Sequence, residues 1–192
     1  MSTRIAIFAS GSGSNAENII RYFNDSEEVS IVLILTNNPL AGVIERANRH
    51  NVPYLIFDRE DFFSGKKIID LLQKEKIDLL VLAGFLWLIP LELIRNYQKR
   101  IINIHPALLP AFGGIGFYGD KVHKAVISSG VPISGISIHH VNEKFDEGEV
   151  IFQAACHVAH NETVGSLAAK IHELEYQYFP VVIEKIIRQL EI

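Results

Sequence analysis

Cysteine is nearly missing from this 192-residue chain: Cys156 stands alone, so no internal disulfide can form, and a reducing, cytoplasmic setting is expected. Long apolar runs are missing too. The longest, residues 79–89, is far short of the ~18 residues that cross a bilayer, so it reads as a buried strand and its exit. There is no basic excess: 18 Lys and Arg face 22 Asp and Glu, for a net charge of −4. That balance argues against a nucleic-acid partner, which would favour a basic stripe. No repeat of 20–50 residues recurs, which excludes solenoids and propellers. Residues 1–8 run straight into a strand, without the apolar stretch and cleavage site of a secretory leader. The eight histidines lack H-E-x-x-H or C-x-x-C spacing, and the adjacent His139 and His140 face opposite ways on a strand, so no metal is expected. The G-x-S-x-G elbow of a serine nucleophile is absent as well.

What is present is ample core material. With 48% hydrophobic residues, the chain can bury one sizeable domain spanning 1–192. Strand-like runs at 4–9, 29–35, 54–57 and 79–83 alternate with helical patterns near 15–23, 41–51 and 64–75. Because these strands are apolar on both faces, they belong in a parallel sheet covered by helices on each side, an α/β architecture. The second half reads differently. A strand at 101–104 stops at Pro106, and a long loop with four glycines between 113 and 119 leads to a helix near 121–128. Strands at 134–141 and 149–155 follow, then a terminal helix starting near Thr163 with Pro180 as a kink. The two halves divide as 1–100 and 101–192, with no linker between them.

Three segments carry chemistry. Ser10-Gly11-Ser12-Gly13-Ser14-Asn15-Ala16 joins a strand to a helix, where free backbone N–H groups bind anions. The spacing fits G-x-G-x-x-A, yet Thr36 and Asn37 stand where a dinucleotide site wants an acid, and no P-loop lysine is present. A small phosphate suits it better, against the plainer reading of a simple turn. Asn103 and His105 sit two apart on a strand, so they project to one face at its carboxyl end, where α/β sheets place ligands. An amide and an imidazole aimed at one point can hold a developing oxyanion and move a proton. A lone histidine is more often structural, but this one is paired with Asn103 and followed by Pro-Ala-Leu-Leu-Pro. Asp146-Glu147-Gly148 is either an ordinary turn or the source of a carboxylate that orients His105 or keeps it protonated near neutral pH.

Together these residues resemble a known family. The Ser-Gly-Ser-Gly-Ser-Asn loop, Leu82-Ala83-Gly84-Phe85, Asn103-Ile104-His105-Pro106-Ala107-Leu108-Leu109-Pro110 and Asp146-x-Gly148 are similar, in order and across essentially the whole chain, to the phosphoribosylglycinamide formyltransferases of purine biosynthesis. Methionyl-tRNA formyltransferase and formyltetrahydrofolate deformylase share the Asn-x-His-Pro segment. Those relatives carry a further domain, for which 192 residues leave no room.

The resemblance implies a mostly parallel seven-stranded sheet with a Rossmann-like N-terminal half, and 10-formyltetrahydrofolate as co-substrate without a metal. It implies that Asn103, His105 and Asp146 are catalytic, and that Gly13, Ser14 and Asn15 hold the ribotide phosphate. Glu175, with His172, Glu173 and Leu174, would line the same substrate's pocket. Leu86, Trp87, Leu88 and Ile89, together with Asn103 and the loop Asn142, Glu143, Lys144, Phe145 and Asp146, would form the folate pocket. The partners implied are these small molecules only, with a monomer or homodimer and no membrane or nucleic acid. Two features depart from the family: Trp87 replaces a basic residue common there, and the loop 113–119 is longer and richer in glycine. The expected reaction is direct attack of the glycinamide amine on the formyl carbon. The rivals are a deformylase-like hydrolase and a folate- or nucleotide-binding module without turnover.

Overall fold

The computed structural model describes residues 2–64 and 66–190. Seven strands, β1 (Thr3–Phe8), β2 (Val29–Thr36), β3 (Tyr54–Ile56), β4 (Leu79–Leu82), β5 (Ile101–His105), β6 (Ile133–His140) and β7 (Val150–His157), form one sheet in the order β3-β2-β1-β4-β5-β6-β7. β1 runs parallel to β2 and β4, and β2 runs parallel to β3, whereas β6 and β7 are antiparallel. The mostly parallel α/β sheet is thus the fold found. The chain packs as two compact units, Met1–Ile102 and Asn103–Ile192.

In the first unit, β1 and β4 are apolar on both faces because both faces are covered. Ile5, Ile7, Phe8, Leu79, Leu80 and Val81 are all fully buried, each worth ~1.5–3 kcal/mol relative to exposure. Helix α1 (Ser14–Tyr22) starts from Gly13, whose φ of 76° lies in the left-handed region. A Cβ at Gly13 would stand 2.5 Å from the Val43 side chain, at the start of α2 (Val43–Arg49), so glycine is required twice over. The turn after β1 is held tight for that reason.

Two short helices of this unit escape the periodicity. α3 (Arg59–Ser64) precedes α4 (Lys66–Lys74), where one helix over 64–75 is expected, and residue 65 lies outside the described residues. Asp58 starts α3 by accepting from the Asp61 N–H at 2.8 Å. α5 (Leu91–Asn96) follows Pro90. Each is six residues long, too short to show a helical stripe.

In the second unit, β5 ends at His105 and the chain turns at Pro106. Ser137 on β6 fixes that turn: its hydroxyl donates to the Ala107 carbonyl at 2.7 Å and accepts from the Leu109 N–H at 2.9 Å. Gln153 on β7 donates to the Leu109 carbonyl and to Ser137 Oγ, completing a polar brace. After the glycine-rich loop comes α6 (Asp120–Ser129), and the last helix is α7 (Val164–Ile187). Thr163 caps α7 as expected, in a reciprocal pair with Ser166. Pro180 lies inside α7 without ending it.

The segment between β6 and β7 crosses close to the β6 backbone at Gly148. A Cβ there would collide with the His140 carbonyl oxygen. Gly148→Ala should therefore cost about 1–3 kcal/mol of stability, the range for overpacking a tight site. Urea unfolding checks this, and an unchanged midpoint would mean that the strand connection adjusts freely.

Candidate active site

Alternation on β5 turns Ile102 and Ile104 to one face and Asn103 and His105 to the other. His105 is 3% exposed. The segment after β6 brings Asp146 to the same place, with a φ of 56° that an aspartate tolerates better than a branched residue would. The three residues expected to act together do meet. Asp146 Oδ2 stands 3.4 Å from His105 Nδ1, and Asp146 Oδ1 accepts from Asn103 Nδ2 at 3.5 Å.

A fourth member was hidden in the sequence. His139 Nε2 lies 3.1 Å from Asn103 Nδ2 and 3.6 Å from Asp146 Oδ1. Its Nδ1–H donates to the His140 carbonyl at 2.8 Å, which leaves the Nε2 lone pair to accept from Asn103. His139 therefore fixes which way the Asn103 amide points. The signal for it was the polar pair Ser137 and His139, two apart on a strand where Ile136 and Ile138 take the other face. Ser137 and His139 are both buried, and both serve the residues that follow or belong to β5.

The glycine-rich loop closes the site from one side. His105 Nε2–H donates to the Phe112 carbonyl at 2.8 Å, and the Gly114 N–H donates to Asp146 Oδ2 at 2.9 Å. Gly113 lies between them, and a Cβ there would press within 3.2 Å of the Asp146 Cβ and collide with Leu109. The glycines that make this loop unusual include the one that allows its close approach.

Burial pushes the His105 imidazole below its ordinary pKa, while the Asp146 carboxylate and the Phe112 carbonyl pull the other way without winning. Asp146 was expected to keep His105 charged near neutral pH; it acts in that direction, but desolvation outweighs it. Burial also raises Asp146, yet the neighbouring His139 ring, the charge His105 carries when protonated and the Gly114 N–H together hold it below the usual carboxylate range. Among the described residues, no group of three or more His, Cys, Asp or Glu is arranged to hold a metal ion.

Of the stretch 172–175 on α7, the structure separates two roles. His172 and Glu175 share a face, with Nδ1 and Oε2 2.9 Å apart, and Glu175 is buried. That hydrogen bond raises the His172 pKa against the effect of burial. Glu173 is exposed and Leu174 half-buried. Nearby in charge terms is His123 of α6, buried, with no hydrogen-bond partner at Nδ1 and its pKa lowered by burial and by His172. In the loop, Lys144 pairs with Glu147 at 2.9 Å, and Asn142 accepts from the Lys144 N–H at 3.0 Å. Glu143 is exposed and Phe145 half-buried.

The remaining expected residues lie in the first unit. Gly13, Ser14 and Asn15 open α1, as a phosphate loop would. Leu86 is exposed, Trp87 and Leu88 are half-buried, and Ile89 belongs to the core. Trp87 joins a cluster with Phe57, Phe62, Phe63 and Phe85. Arg59 of α3 places its guanidinium 5.0 Å from the Phe63 ring centre and 5.7 Å from that of Trp87. The 58–67 segment, without an assigned contact in the sequence, thus supplies a cation beside Trp87.

An α/β sheet carrying an Asn–His–Asp cluster at the end of a strand has the groups that acyl-transfer chemistry uses, and comparison with known proteins gives the family. Residues 3–183 match the formyl transferase family, and the chain belongs to it. Phosphoribosylglycinamide formyltransferase of Bacillus subtilis is 35% identical over 96% of this chain and 94% of its own length. The chloroplastic phosphoribosylglycinamide formyltransferase of Arabidopsis thaliana is 44% identical over 93% of this chain, which spans only 64% of that relative. A crystal structure of phosphoribosylglycinamide formyltransferase from Bacillus halodurans superposes with a TM-score of 0.88 at 34% identity, covering 98% of this chain and 97% of that one. That of glycinamide ribonucleotide transformylase 1 from Geobacillus kaustophilus gives 0.89 at 34% identity, covering 97% and 100%.

The His105–Asp146 contact makes a measurable claim. Asp146→Asn removes the charge that partly offsets burial, so the His105 pKa should fall below its already lowered wild-type value. Folded His105 binds its proton less readily than the unfolded chain does. Its contribution to stability is therefore complete above the ordinary imidazole value of ~6.5 and is lost as pH falls below it. NMR titration of the His105 ring should show the mutant protonating at lower pH than the wild type. A pKa that stays put or rises would remove the electrostatic link between the two residues.

Proposed function

We propose that the protein transfers a formyl group from 10-formyltetrahydrofolate to the amine of 5-phosphoribosylglycinamide by direct attack. The observation that supports this reading most is the Asn103–His105–Asp146 cluster, oriented by His139 and closed by the Phe112 carbonyl and Gly114 N–H. The family and the names of the relatives support the substrate pair.

In this reading the tetrahedral oxyanion is held by two donors. Asn103 Nδ2 has one proton committed to His139 and a second on the long 3.5 Å contact to Asp146. That second proton is the one free to turn to the reacting oxygen. His105 Nε2–H, resting on the Phe112 carbonyl, is the other donor. One such donor typically lowers the barrier by ~2.7–4 kcal/mol. The attacking amine must shed a proton as the departing folate nitrogen gains one, and the His105–Asp146 pair is the relay within reach of that chemistry. No bond to the enzyme forms at any point.

The other assignments follow from the residues each unit offers. Gly13, Ser14 and Asn15 hold the ribotide phosphate through backbone N–H groups at the start of α1. Glu175, oriented by His172, accepts hydrogen bonds from the substrate's polar groups, with Glu173 and Leu174 at its margin. The segment 86–89 of the first unit, with Trp87 as an apolar surface, and the loop 142–146 of the second are each assigned to the folate by the family resemblance.

One assay tests the reading: 10-formyltetrahydrofolate with and without glycinamide ribonucleotide. Formylated ribotide should form only when both are present. Formate released without the ribotide would instead make the protein a hydrolase, and folate binding without turnover would make it a binding module. In the same assay His105→Ala should lose about 10²-fold or more of its rate, with the folded state checked by circular dichroism. A folded variant retaining more than about a tenth of the rate would remove His105 from the chemistry, since a lost transition-state donor costs more than that.

A further inference from the structure

Arg46, on α2, touches no residue of the catalytic cluster and was not singled out by any sequence motif. It nevertheless bridges two groups of the first unit. Its Nε–H donates to the Ser12 carbonyl at 2.8 Å, and its Nη1 forms an ion pair with Glu17. Glu17 is 5% exposed and also accepts from Arg21 at 3.1 Å, Arg49 at 3.0 Å and His50 at 3.0 Å. Burial alone would raise the Glu17 pKa, but His50 and the guanidiniums hold it below the usual range, so the anchor stays charged. The same residue's N–H closes the first turn of α1 on the Gly13 carbonyl at 2.9 Å. The Gly11 carbonyl, meanwhile, accepts from the Val43 N–H at 3.2 Å.

Three successive carbonyls of the glycine-rich loop, those of Gly11, Ser12 and Gly13, are therefore committed to protein donors. In a planar trans peptide the C=O of one residue and the N–H of the next point in opposite directions. Fixing these carbonyls aims the N–H groups of Ser12, Gly13 and Ser14 away from their protein partners, the arrangement of an anion-binding nest. Two of the three pins are backbone N–H groups. The third is a side chain, and only a forked one can reach Ser12 and Glu17 together.

We infer that Arg46, anchored by Glu17, is a positioning residue that sets the phosphate-binding geometry of the loop 11–14. The inference rests on the reading of this loop as the ribotide's phosphate site. Charge works in the same sense: the guanidiniums of Arg21, Arg46 and Arg49 outnumber the carboxylates of Glu17 and Glu45 around the loop's base, which favours an anion there. The buried carboxylate is what keeps three guanidiniums together without mutual repulsion.

Arg46→Lys separates geometry from charge, since lysine keeps the cation and loses the fork. The variant should raise KM for glycinamide ribonucleotide about tenfold, the scale of one charge-assisted hydrogen bond. Its kcat and its KM for the formyl-folate should stay within about twofold of wild type. The preference for the ribotide over the dephosphorylated ribonucleoside should fall by the same factor as KM rises. Glu17→Gln, which loosens Arg46 without touching the loop, should give a smaller change of the same pattern. Equal losses on the phosphorylated and dephosphorylated substrates, or no change in KM, would overturn the inference, because general damage does not select for phosphate.

A second measurement does not depend on turnover. Inorganic phosphate added to wild-type protein should shift the Gly13 and Ser14 amide resonances, and the shift should weaken about tenfold in apparent affinity in Arg46→Lys. Wild-type amides that ignore phosphate would defeat both the phosphate-loop reading and this inference. Amides that respond equally in wild type and Arg46→Lys would defeat the inference alone.

Discussion

A carboxylate with only 11% of its side chain exposed is the constraint around which the second unit is organised. Desolvating such an ion costs several kcal/mol unless its oxygens find partners. Asp146 finds two N–H donors, the Asn103 amide and the Gly114 backbone, and has the His105 and His139 rings 3.4 and 3.6 Å away. They come from three separate pieces of chain: Asn103 and His105 on β5, His139 on β6 and Gly114 in the loop after Pro110. Meeting the cost of one buried charge thereby fixes the relative placement of Asn103, His105 and His139. The same charge explains two glycines, since Gly113 and Gly148 sit where the approaching segments leave no space for a Cβ.

Rigidity in this region is assembled from backbone and side-chain polar groups rather than from apolar packing. Ser137 and Gln153 brace the turn at 107–109, and His139 holds the Asn103 amide. The first unit uses the same device at the loop after β1, where Val43, Arg46 and Glu17 each take one carbonyl. Both candidate sites thus place the groups proposed to face a ligand by fixing the opposite ends of the same peptides or amides. That is economical in a fold whose ligands bind at strand ends, because the strands supply direction and the loops need only a few well-placed partners.

The sheet was legible because its strands are long, apolar on both faces and separated by helical stripes. So was the pairing of Asn103 with His105, since a two-residue period is a local property of a strand. What the sequence could not supply was tertiary closure. Asp146 was a turn residue or a carboxylate partner on equal terms until its loop was seen to fold back on β5. His139 escaped because its neighbour His140 suggested a metal, and adjacency on a strand then argued against one. The better signal was its two-residue spacing from Ser137. α3 and α5 escaped through their length, although Asp58 and Pro90 mark their starts. Arg46 escaped because its role depends on a carbonyl thirty-four positions away.

The His105 proton shows how these constraints bear on chemistry. A carbonyl only accepts, so the bond to Phe112 keeps a proton on Nε2, and the Nδ1 lone pair of a neutral ring would then face a carboxylate. That contact favours a second proton, while burial disfavours the charge it brings, and burial prevails in the resting protein. The balance is responsive because the two effects differ in origin. Attraction between His105 and Asp146 strengthens as water is excluded, since it scales inversely with the local dielectric. In the proposed reaction, an oxyanion forming beside the ring would add a second negative charge on the side where only a carbonyl dipole now lies. Both changes favour the imidazolium at the moment its proton is needed, and each pKa unit so gained is worth ~1.4 kcal/mol. A histidine held below its ordinary pKa at rest is therefore compatible with a charged one in the reaction, because the group that would stabilise it is the one the reaction creates.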